Sequence, residues 1–127
     1  LLAAAGGPDE ACGLLLGRGP GPWRVEDWTA LPRRGGPGRF LIDPLELLAE
    51  EEEAAARGLR VLGPWHAHPR GAALPSAHDR ATARTWPAAL WLLVAPGTAH
   101  PLAAYEGPAL RPLTLSWGDG VLSSAAR

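Results

Sequence analysis

Short apolar runs separated by glycine and proline organise the beginning of the chain. Residues 11–17 contain only apolar residues and glycine, a pattern typical of a buried β-strand. The Gly-Pro-Gly-Pro sequence of residues 19–22 predicts a turn. Residues 23–31 then predict a second strand that forms a hairpin with the first. Residues 32–39 consist of proline, glycine and arginine alone, so they predict a basic loop without regular structure.

Two helices are predicted from their capping residues. The first begins at Asp43, where the sequence Asp-Pro-Leu-Glu supplies an N-cap, a proline at the first helical position and a capping-box glutamate. It ends at Gly58. Residues 50–53 are four glutamates and predict the solvated face of this helix. The second helix begins at Ser76 and ends before Pro87.

Further strands follow each predicted helix. Residues 59–65 favour extended structure, in which Pro64 indicates either an edge strand or a bulge. Residues 88–95 form a continuous apolar run, as in a strand that is covered on both faces. The last two predicted strands are residues 101–106 and 110–117. This order of strands and helices predicts an α/β (α+β) fold with three layers, in which a mixed central sheet lies between helices.

The composition narrows the possible classes of function. The 127 residues suffice for one compact domain, residues 1–127. The 12 basic residues, all arginine, and the 13 acidic residues give a net charge of −1, so we expect no nucleic-acid partner. No hydrophobic run reaches the roughly 18 residues of a membrane span, so we expect no membrane partner and a soluble, cytoplasmic protein. The single cysteine, Cys12, excludes any metal site that needs two thiolates.

Two histidines separated by one residue, His66 and His68, are the first sign of chemistry. Side chains two residues apart on an extended segment point to the same face, so both imidazoles can bind one metal ion. Asp79, which follows His68 after ten intervening residues, is the candidate third ligand. It lies just inside the helix that begins at Ser76, so a loop can fold its carboxylate back over the strand end. A capping box alone would explain Ser76 and Asp79, but not the histidine pair.

A longer pattern connects these residues with others upstream. Residues 8–17 place Glu10 just before the first strand, residues 63–69 read Gly-Pro-Trp-His-Ala-His-Pro, and residues 75–79 read Pro-Ser-Ala-His-Asp. Together with residues 40–44, they resemble the JAMM, or MPN-plus, metallopeptidase family. Ala67 stands where that family usually has serine or threonine, so any hydroxyl hydrogen bond from this position is missing. The matching functional residues are Glu10, His66, His68, Ser76 and Asp79.

The resemblance implies an MPN (cytidine-deaminase-like) fold and a zinc hydrolase. His66, His68 and Asp79 would bind the zinc ion and leave its fourth position open for water, as in catalytic zinc sites. Glu10 would take the proton of the attacking water and pass it to the leaving amine. Ser76 would donate a hydrogen bond to the oxyanion that forms on the scissile carbonyl.

The resemblance also implies a class of substrate. Family members cut amide or isopeptide bonds after the Gly-Gly tail of ubiquitin-like or sulfur-carrier proteins, and the leaving group here is either a lysine side chain or a cysteine. Arg33 and Arg34 of the basic loop are candidate contacts to such a carrier, although a plain connecting loop fits the sequence equally well. The alternative function is a catalytically silent MPN scaffold that binds partner proteins. Such scaffolds usually lack a metal ligand, and none is missing here.

Overall fold

The computed structural model describes residues 11–31, 42–68, 72–118 and 121–126. It contains strands and helices at nearly all the predicted positions, and one strand near the carboxyl end that the sequence did not predict. In chain order they are β1 (Cys12–Arg18), β2 (Trp23–Leu31), α1 (Pro44–Ala56), β3 (Arg60–Ala67), α2 (Ala77–Ala83), β4 (Leu90–Val94), β5 (Leu102–Glu106), β6 (Arg111–Gly118) and β7 (Val121–Ala126).

The strands of the described residues form one sheet, which closes into a ring in the order β1-β2-β7-β6-β5-β4-β3. β3 and β4 run parallel, because the chain crosses back through α2 between them. The other neighbouring strands are antiparallel. The predicted α+β class with a mixed sheet is therefore confirmed. The closure is an additional feature, since it depends on the unpredicted β7, which pairs with both β2 and β6.

Both helices begin at the predicted capping residues. The Asp43 side chain accepts a hydrogen bond from the Leu45 N–H at 2.8 Å, and Pro44 occupies the first turn of α1. Ser76 is the N-cap of α2. Gly58, just beyond the end of α1, has a φ of 72°, which glycine adopts without strain. No helix among the described residues has the length and apolar character needed to cross a membrane.

The sequence predicted either an edge strand or a bulge at Pro64, and β3 contradicts the first of these. It pairs with β1 on one side and with β4 on the other, so the expectation of an edge strand is wrong. The alternative, a bulge, is confirmed, because the register between β1 and β3 shifts beside Gly63. A Cβ atom at Gly63 would lie 1.9 Å from the Leu90 carbonyl oxygen. Glycine therefore allows β3 and β4 to approach closely at this point.

Two apolar clusters pack on the two faces of the sheet. Alternate residues of β4 enter different clusters, so Leu92 packs with Trp65 and Leu15, whereas Trp91 packs with Ala83 of α2. All five residues of β4 are buried, which confirms the prediction of a strand that is covered on both faces. The cross-strand partners of His66 are Cys12 and Leu93, and both belong to the cluster that contains Ala83. His66 therefore lies on the face of the sheet that α2 covers.

Candidate metal centre

The histidine pair lies at the end of β3. His66 is the second-last residue of the strand and is 2% exposed. His68 follows the strand, and its backbone N–H donates to the Val94 carbonyl at 2.7 Å, which extends the pairing with β4. The ring centroids of the two imidazoles are 5.0 Å apart, with the planes at 81°. The two side chains therefore share one face of the extended chain.

Asp79 is carried to the histidines by the first turn of α2. Its side chain accepts a hydrogen bond from the Ser76 N–H at 2.9 Å, and its own N–H donates to Ser76 Oγ at 3.1 Å, which completes a capping box. These two bonds fix the carboxylate at the helix start. Oδ2 of Asp79 then lies 3.3 Å from Nε2 of His68. The local chemistry that begins the helix thus also sets the position of the carboxylate.

Asp79 is ionised at neutral pH in this environment. Its burial raises the pKa of the carboxyl group, but hydrogen bonds with His68 and the Ser76 N–H, together with the nearby His66, lower the pKa by more. The net result is a pKa below the ordinary value of 3.8. The group therefore presents a negatively charged oxygen beside two imidazoles.

The contacts of His68 indicate which of its ring nitrogens carries a proton. Nδ1 lies 3.3 Å from the Ala72 carbonyl oxygen. A carbonyl oxygen only accepts hydrogen bonds, so this contact is a hydrogen bond only in a ring form that carries a proton on Nδ1. The hydrogen bond from Nε2 to Oδ2 of Asp79 then exists only in the doubly protonated ring, whereas in the neutral ring Nε2 presents a lone pair toward Oδ2. Two lone pairs at that separation repel unless a cation, either a proton or a metal ion, lies between them.

The described residues fit a bound metal ion in three respects. One ligand atom from each of His66, His68 and Asp79 can be chosen so that all lie within 4.8 Å of one another. Oδ1 of Asp79 is buried and accepts no hydrogen bond from any residue that the structure describes. The 3.3 Å between Nε2 and Oδ2 matches the separation of about 3.3–3.5 Å expected for nitrogen and oxygen ligands of one tetrahedral zinc. The three side chains form a group suited to metal binding.

Ser76 lies next to this group and has a hydrogen atom to donate. Its Oγ accepts the hydrogen bond from the Asp79 N–H, and its side chain also lowers the pKa of the Asp79 carboxyl group by hydrogen bonding. Ser76 is partly exposed, unlike Asp79. The structure therefore brings Ser76 together with the three candidate ligands, on the side that solvent can reach.

Three predicted site residues, Glu10, Arg33 and Arg34, lie outside the described residues. The residue after Glu10 is described: the carbonyl of Ala11 accepts a hydrogen bond of 2.8 Å from the N–H of Ala67, between the two histidines. Ala67 itself is fully buried in the apolar cluster on the opposite face from His66. A hydroxyl at position 67 would therefore enter apolar surroundings.

The sequence analysis missed the contacts that Ala72 and Ala73 make just before α2. The Ala72 carbonyl contacts His68, and the Ala73 carbonyl accepts a hydrogen bond from the Tyr105 hydroxyl at 2.9 Å. The one available signal was that the chain has a single tyrosine, which sits in a predicted strand. A buried phenol needs a hydrogen-bond partner, but the sequence does not say which.

Comparisons with known proteins match most of the chain. The family described as "Prokaryotic homologs of the JAB domain" matches residues 2–105. A desampylase from Pyrococcus furiosus is 34% identical over 85 residues, which cover 67% of this chain and 59% of that protein. A desampylase from Haloferax volcanii is 29% identical over 119 residues, which cover 90% of this chain and 82% of that protein.

A third relative and two solved structures extend the comparison. A probable TtuB-protein conjugate cleaving protease from Thermus thermophilus is 39% identical over 61% of this chain and 51% of that protein. A protein from Desulfitobacterium hafniense superposes with a TM-score of 0.67 at 27% identity and covers 98% of this chain and 82% of that one. A JAB1/MPN domain protein from Archaeoglobus fulgidus gives 0.55 at 21% identity over 88% of this chain and 82% of that one. This last likeness confirms the MPN-type fold.

Proposed function

Because the chain belongs to the family of prokaryotic homologues of the JAB domain, we propose that it is a metal-dependent peptidase. It hydrolyses the amide bond after the carboxy-terminal Gly-Gly of a ubiquitin-like or sulfur-carrier protein. The observation that carries the proposal is the group of His66, His68 and Asp79, whose ligand atoms lie within 4.8 Å of one another. The names of the relatives, desampylase and TtuB-protein conjugate cleaving protease, support this class of substrate.

Zinc is the proposed metal. Two imidazoles and one carboxylate are a donor set typical of catalytic zinc sites, which keep one position open. Bound there, zinc polarises the scissile carbonyl and lowers the pKa of water to about 7. Asp79 would contribute the negative charge of the set, and a proton on Nδ1 of His68 would leave Nε2 available as a ligand atom.

Glu10 is the proposed general base. Its neighbour Ala11 pairs with Ala67 between the two histidines, and consecutive Cα atoms are only about 3.8 Å apart. Glu10 thus directly precedes, in the sequence, the residue that pairs between the two histidines. Its carboxylate would accept a proton from the attacking water and return it to the leaving amine.

Ser76 is the proposed oxyanion donor. Its hydroxyl group lies beside Asp79, and its proton can turn to another acceptor while its oxygen keeps the capping hydrogen bond. Donation to the carbonyl oxygen strengthens as that oxygen becomes negative, which favours the transition state over the bound substrate. Capping and catalysis use different parts of the hydroxyl group, so one residue can do both.

The proposal also covers the extent of the domain, the contact with the carrier and the location of the protein. Residues 1–127 act as one domain, and Arg33 and Arg34 contact an acidic surface of the carrier. The cytoplasm is the expected location. The carrier tail must bring its carbonyl between the proposed positions of Glu10 and Ser76, and glycine side chains leave the most room for this approach.

A conjugate-cleavage assay tests the proposal. A carrier ending in Gly-Gly is joined either to a lysine side chain of an acceptor protein or to a cysteine, and release of the intact carrier is followed by mass spectrometry. We expect release that a chelator abolishes and added zinc restores, with a matched carrier ending in Ala-Ala cleaved at least about 10-fold more slowly. Equal rates for both carriers would contradict the substrate assignment. No release by the zinc-loaded protein would favour the scaffold alternative.

A further inference from the structure

Residues 72–75, which precede the N-cap of α2, contact the sheet and His68 through two consecutive carbonyl groups. The Ala72 carbonyl oxygen lies 3.3 Å from Nδ1 of His68. The Ala73 carbonyl, one peptide unit further, accepts the hydrogen bond from Tyr105 at 2.9 Å. The direction of the Ala73 carbonyl therefore constrains the peptide that contacts the imidazole.

Tyr105 belongs to the rigid part of the fold. It lies in β5, is 7% exposed, and is the cross-strand partner of the fully buried Trp91 in β4. β4 in turn pairs with β3, in which His66 is the partner of Leu93. The phenol thus links residues 72–75 to the same sheet that carries His66. Strand pairing through β4 fixes Tyr105 of β5 relative to His66 of β3.

We propose that Tyr105 is a positioning residue for the metal centre. Its hydroxyl holds the Ala73 carbonyl, which keeps the Ala72 carbonyl directed at Nδ1 of His68. That contact keeps the proton on Nδ1 and turns Nε2 toward the metal. Hydrogen bonds to the second ring nitrogen set the tautomer and orientation of metal-bound histidines, and their loss typically costs about 10–100-fold in metal affinity or activity.

The hydroxyl group of Tyr105, rather than its ring, holds the Ala73 carbonyl. Phenylalanine would fill the same space in the apolar cluster that contains Tyr105. It would leave the carbonyl of Ala73, a buried residue, without this donor, and a buried acceptor that loses its partner is unfavourable. The segment would then move to find another donor, and the contact between Ala72 and His68 would change with it.

This inference rests on the proposed metal-dependent function. Its test compares Tyr105→Phe with Thr98→Val. Thr98 also donates a side-chain hydroxyl to a backbone carbonyl, that of Ala95 at 2.8 Å, but in a turn outside the metal centre. Zinc affinity is measured by competition with a chromophoric chelator. We expect Tyr105→Phe to weaken zinc binding about 10–100-fold and Thr98→Val to leave it within twofold. Equal zinc affinity of Tyr105→Phe and the unmodified protein would overturn the inference.

A second measurement tests the role of Tyr105 in the metal-free protein. In the metal-free protein, nitrogen-15 NMR of the imidazole at a pH where it is neutral reports the tautomer of His68. We expect the proton on Nδ1 in the unmodified protein, and a mixture of tautomers in Tyr105→Phe. A proton on Nε2 in the unmodified protein would overturn the role of Tyr105, whatever the variant does. Failure of the unmodified protein to bind zinc would instead contradict the proposed function.

Discussion

At the scale of single residues, Asp79 shows how one side chain serves both structure and chemistry. Oδ2 accepts the Ser76 N–H and faces His68, whereas Oδ1 is buried and accepts no hydrogen bond from the described part of the chain. The N3 residue of a capping box needs only one acceptor oxygen. Oδ1 therefore remains available to a cation, as does the side of Oδ2 that faces His68.

Glu10 carries a prediction at this scale. Glu10→Gln removes the group proposed to move the proton but retains its size, so we expect turnover to fall at least about 100-fold. Zinc content and thermal stability should stay unchanged, because Glu10 is not among the proposed ligands. Steady-state cleavage of a Gly-Gly conjugate, together with metal analysis of the same sample, provides the measurement.

Glu53→Gln is the matched control for this substitution. Glu53 is exposed on α1, and its replacement changes the net charge by the same amount. We expect this variant to retain full turnover. An active Glu10→Gln protein would show that another group transfers the proton.

At the scale of helices and strands, the predictable parts are those that local chemistry determines. Both helices begin at their predicted caps, Asp43 and Ser76, because an N-cap needs only residues within one turn. The parts that failed depend on distant segments. β7 pairs with β2 from the opposite end of the chain, and Pro64 lies in an interior strand because the preceding Gly63 lets β4 approach.

A contact between two strands that are not neighbours in the sheet carries the second prediction. The Trp23 indole N–H at the start of β2 donates to Glu106 at the end of β5, at 2.7 Å. This bond lowers the pKa of Glu106 and Arg111 lowers it further, while burial opposes them. Because the pKa of the folded state lies below the ordinary 4.5, the stabilisation is complete above that pH. It is lost as the pH falls through the lowered value.

Urea unfolding at pH 7 and at several pH values down to 3 measures this effect. We expect the unmodified protein to lose more free energy of unfolding on acidification than Glu106→Gln does. Some acid sensitivity should remain in the variant, because the pKa values of Asp27 and Asp79 are lowered as well. Glu52→Gln, on the exposed face of α1, should keep the full pH dependence. Identical pH dependence in Glu106→Gln would contradict this account.

At the scale of the whole molecule, the site forms where segments distant in sequence meet at one end of β3. The histidine pair and Asp79 were predictable because each lies in a local pattern, an alternating strand or a capped helix. Tyr105 was not, since its contact with Ala73 exists only because β5 lies beside β4. Local spacing thus identifies candidate ligands, whereas the groups that orient them depend on the strand order.

The basic loop carries a prediction about the complete enzyme and its carrier. Arg33→Ala combined with Arg34→Ala should raise KM for an acidic carrier about 10-fold or less and leave kcat nearly unchanged. Contacts made equally in the bound substrate and in the transition state affect KM alone. The rise in KM should shrink at high salt, because charges at the surface are screened.

A matched double variant controls for the loss of two charges. Arg18 and Arg24 lie at the other end of the hairpin from Cys12, the residue that pairs with His66. Arg18 forms an exposed ion pair with Glu26, which contributes little to stability. Replacing both arginines by alanine should leave KM unchanged. Equal KM values for the two double variants would contradict a carrier contact in the basic loop.

The most direct test of the central claim is the metal content of the protein after loading with zinc and removal of the excess. The account predicts one zinc ion per chain in the unmodified protein. It predicts loss of that ion in each of His66→Asn, His68→Asn and Asp79→Asn. His100→Asn, which changes an exposed histidine outside the group, should keep one zinc per chain. Full zinc content in both His66→Asn and His68→Asn would contradict the account.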